Sequence, residues 1–438
     1  MSFPVSVRCS SFTSAAALLG LVAGALATGL TVPASVQGQQ ALHPLIQEAR
    51  PLLDARLRFE HVEQTGFEDN ARALTVRVRL GAESGTVSGF RVLIEGDMTR
   101  ALGMDDFNSG VPDGPDDFAA SQYPLVPDPD SERINRLHLT WESPEGWSVV
   151  AGRQRIIHDN ARFVGNVGFR QNEQTFDALR LQSPTESVVR ADYSYLWQVN
   201  RILGSNSPAG TADADTHLAR VTWDLPLGTL SGHAYLVDLG DGLVGASNRT
   251  VGVRYAGQRA LGSDLGGSWT GGYSRQTEHG DNPSDFSLAY WELEGRLSAG
   301  GMTASAGLEV LEGDGERGFA TPLATLHAFQ GFADRFLTTP PEGVRDLHGR
   351  LAYRWTDVSR LGTVRVAAAY HSYRAQKADS AGDRRDLGRE YNLTLTAQPR
   401  PRVNLSVEFA DYAAGHRMAG SQEADRTKLW VTAALALP

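Results

Sequence analysis

The chain has 438 residues, 21% of them charged, with a formal net charge of −10, 46 glycines and one cysteine. The acidic balance argues against a nucleic-acid partner held by a basic surface. The lone Cys9 excludes a disulfide framework, and its position ahead of the first apolar run excludes a lipid-attachment role.

Arg8 precedes an apolar run, Ala15–Val32, which gives way to small and polar residues at PASVQGQQ. That layout predicts a cleaved secretory signal peptide over residues 1–38, leaving 39–438 as the mature unit. No later apolar run approaches the ~20 residues of a membrane helix.

Beyond the leader, hydrophobicity alternates with period two to the end of the chain. In Asp54–His61, Leu57 and Phe59 oppose Arg56, Arg58 and Glu60; in Leu74–Leu80, Val76 and Val78 oppose Arg77 and Arg79. Val87–Asp97 and Arg133–Trp141 continue the pattern, the latter setting Leu137 and Leu139 against Arg136 and His138. Further segments fall at about 146–155, 174–182, 187–197, 216–225, 228–238, 248–257, 264–276, 285–298 and 302–312. The last five are at about 345–356, 361–373, 388–398, 401–412 and 427–438, which makes eighteen in all. Most match the ~9–11 residues of a tilted membrane strand.

Short connections with turn chemistry (GAESG, SPEG, LPLG, SAGG) alternate with mostly longer polar ones along the whole chain. The combination predicts an all-β fold: a single antiparallel transmembrane β-barrel of about 18 strands, with short periplasmic turns and long extracellular loops. Trp141, Trp147, Trp223 and Trp355 lie near short turns, and Trp197 and Trp430 beside long loops, as two aromatic girdles would require.

In such a barrel the apolar phase meets lipid and the charged phase lines the lumen. The lumen then receives Arg56, Arg58, Arg77, Arg79 and Arg136, with Arg190, Arg220, Arg254, Arg296, Arg350, Arg354 and Arg365 further along. Glu60, Glu95, Asp192, Glu292, Glu294 and Glu309 share that phase. Arg is the better fork for carboxylates, and all 41 Lys and Arg residues except Lys377 and Lys428 are Arg. A ring of Arg favours anions. The Met98–Glu132 connection is acidic, with Asp105, Asp106, Asp113, Asp116 and Asp117 among its residues, but lacks the spacing of a calcium loop.

No zinc-protease, nucleophile-elbow or Walker sequence occurs, and no Cys/His metal cluster. No cofactor and no catalytic residue is expected. His158-Asp159, His279-Gly-Asp281, His371-Ser372 and the Glu292/Glu294 pair are weak signals for a barrel hydrolase. Neighbouring strand residues face opposite sides, and acids at this spacing read as lumenal charge.

The densest stretch is Gly152–Leu181, GRQRIIHDNARFVGNVGFRQNEQTFDALRL. Its elements Gly152-Arg153-Gln154, Asp159-Asn160, Arg162-Phe163-Val164-Gly165, Phe169-Arg170-Gln171 and Phe176-Asp177-Ala178 resemble the alginate-export porin family of Gram-negative outer membranes. RFEHVEQTGF upstream agrees with that resemblance, whereas the ending TKLWVTAALALP departs from the usual terminal aromatic. The resemblance implies a monomeric outer-membrane barrel with an arginine-lined constriction. An anionic polysaccharide or smaller anions would pass by passive diffusion, with periplasmic export partners possible.

On this reading the stretch is a strand, an external loop and a strand, and the selectivity residues are Arg56, Arg58, Arg77, Arg79, Arg136, Arg153, Arg155 and Arg170. Arg153 and Arg155 share one strand phase. Loss of the Arg170 charge is expected to weaken anion preference while the barrel stays folded. The rivals are a general or uptake porin for small anionic solutes, a hydrolase at the outer rim, and a barrel plugged by an infolded loop.

Overall fold

A computed structural model describes residues 44–111, 119–240, 242–377, 385–415 and 424–437. The expected leader, and Asp113, Asp116 and Asp117 of the acidic connection, lie outside the described residues.

The eighteen strands are β1 Arg50–Gln64, β2 Ala71–Glu83, β3 Phe90–Asp106, β4 Ser131–Glu142, β5 Ser148–Gln154 and β6 Thr175–Gln182. They continue as β7 Val189–Asn200, β8 Thr211–Leu225, β9 Gly228–Val237, β10 Asn248–Ala260, β11 Leu265–Glu278 and β12 Ser287–Ala299. The last six are β13 Met302–Leu311, β14 Val344–Val358, β15 Gly362–Arg374, β16 Asp386–Arg400, β17 Val403–Ala414 and β18 Arg426–Leu437. Each strand pairs antiparallel with its sequence neighbours, and β1 also pairs with β18, so Leu57 stands between Val76 and Ala433. Closure satisfies every ladder and leaves no open edge, as a sheet immersed in lipid requires.

The sheet is inverted relative to a water-soluble one. Leu293, Val253, Leu347, Leu393 and Leu137 are exposed on its outer face. Thr250, Asp346, Arg77 and Asp192 are buried inside. Trp147, Trp223, Trp355 and Trp197 are exposed outward, as the girdles require. Trp430 is not: it is fully buried on the lumenal face, with its ring edge-on to Phe169 5.7 Å away. Its neighbours Val431 and Leu429 are the residues that take the outward phase or flank it, and Val431 is exposed.

Two of the long connections fold into the barrel instead of standing above it. They are 155–174, between β5 and β6, and 312–343, between β13 and β14. The first was expected outside. It turns inward because its apolar residues find partners only there: Ile156 and Val164 pack with Phe176, Leu196, Leu218, Tyr235 and Leu323. The second contributes Phe319, Ala333 and Phe336, which pack on Leu288, Tyr290, Val344, Tyr373 and Tyr412. Burial of such side chains is worth about 1.5–3 kcal/mol each, enough to offset the ordering of long connections when several act together.

The two loops are joined to each other. Gly165 N–H donates to Leu323 O at 2.8 Å and Thr325 N–H donates to Ala161 O at 3.0 Å. Val167 N–H donates to Thr325 Oγ1 at 3.0 Å. A side chain at Gly165 would run into Thr325 and Ala161, so only glycine allows this approach. Asp159, Ala161, Val167, Gln330 and Asp334 all hold positive φ, and a β-branched residue there is strained. Strain of this kind persists where surrounding contacts over-determine the backbone.

Candidate functional site

The lumen's narrow zone forms where the 155–174 loop crosses to the wall of β1–β4. Period-two parity places Arg56, Arg58, Arg77 and Arg79 on the inner face of β1 and β2, with Arg56 directly opposite Arg77. Four cations so close require compensation.

Arg77 pairs with Asp54. Arg79 lies 3.5 Å from Asp97 and 3.4 Å from Glu173. Arg56 and Arg58 are held differently, by loop carbonyls: Arg56 Nη1 donates to Phe169 O at 2.8 Å and Arg58 Nη1 donates to the same oxygen at 2.6 Å. The Arg58 guanidinium also stacks over the Phe169 ring at 4.2 Å, a favourable cation–π contact. Exposed carbonyls of an irregular loop thereby become acceptors for wall arginines.

The segment Arg170–Gln174 is buried along its whole length; its first four residues meet wall groups, and Gln174 Nε2 donates to the loop carbonyls of Gly165 and Leu323. Gln171 Nε2 donates to Thr75 Oγ1 at 2.9 Å, and Asn172 Oδ1 accepts from Ser131 Oγ at 2.7 Å. Glu173 accepts from Arg155 Nε at 2.7 Å and from Asn135 Nδ2 at 2.5 Å. Burial pushes the Glu173 carboxyl up, but Arg79 and Arg155 outweigh it and hold it down to about 2.

Arg170 does not reach the open lumen. It is buried between Glu60 at 2.8 Å, Asp334 at 3.1 Å and Asp128 at 3.7 Å. Lys428 joins at 2.8 Å from Asp334, and His327 Nδ1 lies 2.8 Å from the same carboxylate. Burial raises the Asp334 carboxyl, yet His327, Lys428 and Arg170 together hold it well below the usual carboxylate range. This network fastens both loops to β1 and β18 at once.

Arg136 and Arg155, like Arg56, are partly open. Arg136 forks onto Glu95 at 2.9 and 2.7 Å. Arg155 sits beside Glu173 with its side chain 30% exposed.

Arg153 does not join them. It stands opposite Leu137 in the β4–β5 register, on the outward face, and forks onto Asp177 at 2.7 and 2.9 Å. The shared phase with Arg155 fails because β5 ends at Gln154, after which the chain leaves the strand and turns inward.

Across the lumen, β10–β14 line a cavity of about 420 Å³ with Arg254, Arg296, Arg350, Glu292, Glu294 and Glu309. Arg254 Nε donates to Glu292 at 2.8 Å and Arg296 Nη2 donates to Glu294 at 2.8 Å. Arg162 reaches this side from the loop, 2.6 Å from Glu309, and fixes the loop there. The arginine-bearing β1–β4 wall and this mixed, acid-rich side thus lie on opposite parts of the ring.

Sequence reasoning kept an infolded loop only as a rival, and it did not find the contacts that Arg162, Glu173, Asp334 and Lys428 make there. A signal was present. Leu288, Tyr290, Val344, Tyr373, Tyr412 and Trp430 occupy the lumenal phase at the long-loop ends of their strands, where a water-filled pore has no use for apolar groups.

A scan against protein-family models finds no match, and a search of curated proteins finds none either. Solved structures do match. OpdL of Pseudomonas aeruginosa aligns with a TM-score of 0.67 at 16% identity, over 89% of this chain and 99% of that one. OccK9 (OpdG) of the same organism aligns at 0.69 and 15%, over 90% and 100%. Acinetobacter baumannii OccAB4 aligns at 0.67 and 11%, over 89% and 98%. Likeness at such identities is likeness of fold, that of the 18-stranded outer-membrane porins, and it gives no support to the alginate-export resemblance.

Proposed function

We propose that this chain is an outer-membrane channel through which small carboxylate-bearing solutes diffuse passively. The observation that carries the reading is the constriction itself. A cavity of about 420 Å³ lies beside the two infolded loops, and on the wall opposite in strand order Arg56, Arg136 and Arg155 keep part of their surface open while Arg58, Arg77 and Arg79 are buried. Fixed guanidinium groups replace part of a carboxylate's hydration, while the nearby carboxylates Glu95 and Glu173 keep each contact weak enough to release. The apolar outer belt supports residence in lipid. Among structures of the same fold, Pseudomonas aeruginosa OpdK was solved with vanillate, an aromatic carboxylate.

Arg136 and Arg155 reach water, and they carry the expected selectivity. In planar bilayers under a salt gradient, Arg136→Ala combined with Arg155→Ala should shift the reversal potential toward cations by roughly 10 mV or more, as loss of a ring charge requires. An unchanged potential would remove these residues from the selectivity path.

The resemblance of Gly152–Leu181 to alginate-export porins favours a second reading, passage of an anionic polyuronate. A polymer requires both loops to leave the lumen. Block of the chloride current by oligomannuronate but not by a neutral oligosaccharide of equal size supports polymer entry; indifference to both excludes it.

A further inference from the structure

Three side chains on the lumenal face of β14 and β15 stand apart from the arginine-bearing wall. Asp346 and His348 are two positions apart on β14 and point to one side, and His371 lies directly across from His348 in the antiparallel register. One ligand-capable atom from each lies within 4.8 Å of the other two. Asp346 Oδ2 is 2.9 Å from His371 Nδ1 and 3.4 Å from His348 Nδ1. In a tetrahedral site with bonds of ~2.0–2.2 Å, ligand atoms stand about 3.3–3.5 Å apart. The Asp346–His348 separation matches that edge and the Asp346–His371 separation is about 0.4 Å shorter, so His371 would move slightly outward to share one ion.

A second observation comes from His348. Its side chain is only 10% exposed, yet neither ring nitrogen has a hydrogen-bond partner. Nδ1 faces Asp346, and Nε2 stands 3.5 Å from Glu294 on β12. A carboxylate on the far nitrogen is what orients a metal-binding imidazole and fixes its tautomer. The surroundings add negative charge: Glu390 is opposite His371 across β16, while Glu309, opposite Asp346 across β13, is already paired with Arg162. Two imidazoles and one carboxylate suit a borderline metal such as zinc; calcium and magnesium prefer six or more oxygens. Asp346 and His348 also line the 420 Å³ cavity, together with Arg350.

We propose that Asp346, His348 and His371 form a binding site for a divalent transition-metal ion of the zinc class, with its remaining coordination position open to the lumen. Glu294, 3.5 Å from His348 Nε2, is the outer carboxylate that would take that N–H once an ion is bound. At that position the ion takes a water or the carboxylate of a solute in the cavity, opposite the arginine wall.

The test uses the untagged full chain as a folded barrel in detergent, stripped with a chelator and dialysed. Calorimetric titration with zinc chloride near pH 7.5 should show one saturable site per barrel, and calcium chloride should give none. His371→Ala and His348→Ala should each weaken zinc binding at least tenfold, and the double variant should abolish it. Glu294→Gln should weaken it less. His217→Ala, on a different face of the barrel, should leave it unchanged. Heat-modifiable mobility on gels reports whether each variant is still a closed barrel. Cobalt(II) in the parent should give the intense visible bands of four-coordinate nitrogen and oxygen ligation, absent in the double variant. No saturable zinc uptake by the parent, or equal uptake by a folded double variant, overturns the assignment. Because the readout is metal binding, it stands or falls independently of what the channel conducts.

Discussion

Removing Arg170 exposes what its burial contributes. The guanidinium stands among Glu60, Asp128 and Asp334, all buried, and breaking one member of such a network costs about 3–5 kcal/mol. Arg170→Ala should therefore free the loop while the strand ladders keep the barrel closed. We expect higher and noisier single-channel conductance with unchanged heat-modifiable mobility. Conductance equal to the parent's would show that the loop stays in place without its hub.

Glu173 gives a pH signature with a definite sign. Its folded-state carboxyl is depressed to about 2, against ~4.3 when unfolded. The contribution is present above ~4.3 and is lost as pH falls toward about 2. Channel fluctuations should rise between pH 4 and pH 2, and Glu173→Gln should show raised fluctuations already at pH 7. A flat response in both proteins would mean that Glu173 does not hold the loop.

The infolded loops succeed as elements because they are bonded to each other in both directions, Gly165 N–H to Leu323 O and Thr325 N–H to Ala161 O, and both pack apolar side chains on the wall. Gly165→Val tests their joint. Its side chain would meet Thr325 and Ala161, and overpacking of that kind costs about 1–3 kcal/mol. Limited proteolysis should then cut between 155 and 174 in a variant whose barrel core resists, whereas the parent is protected along both loops. Strand ends tell a related story. Arg153 and Arg155 differ by two positions, but one forks onto Asp177 outside and the other onto Glu173 inside. Alternation holds only while the ladder lasts, and the β5 ladder ends between them.

For the whole barrel, the inverted distribution of polarity makes a further demand. Leu293, 65% exposed at the outer face of β12, faces the hydrocarbon. An Arg placed at the midplane of a barrel wall costs ~2–4 kcal/mol. Leu293→Arg should lower the unfolding free energy in vesicles by that amount in a urea titration, while Arg350→Gln on the lumenal face should not. Equal effects would contradict the assignment of faces.

The eighteen strands, their antiparallel order, the segregation of short and long connections and the lumenal phase of Arg56, Arg58, Arg77, Arg79 and Arg136 were legible in the residues alone. Each rests on a local rule: side chains alternate on a strand, lipid selects one phase, and hairpins need turn chemistry. The alternation stops where the ladders stop, so nothing local says whether a long polar connection stands in water or enters the lumen. That choice depends on partners far away in the chain, such as Glu60 and Lys428 for Arg170, Thr75 for Gln171, and Tyr290 and Tyr373 for loop 312–343. The same holds for Asp346, His348 and His371, which a hairpin register brings together across more than twenty residues. Period and composition settle which face of a strand meets lipid, because that depends on neighbours two residues away. Which arginines are clamped and which stay open is decided by long-range charge pairing and packing, and only the closed barrel with its loops inside contains those pairs.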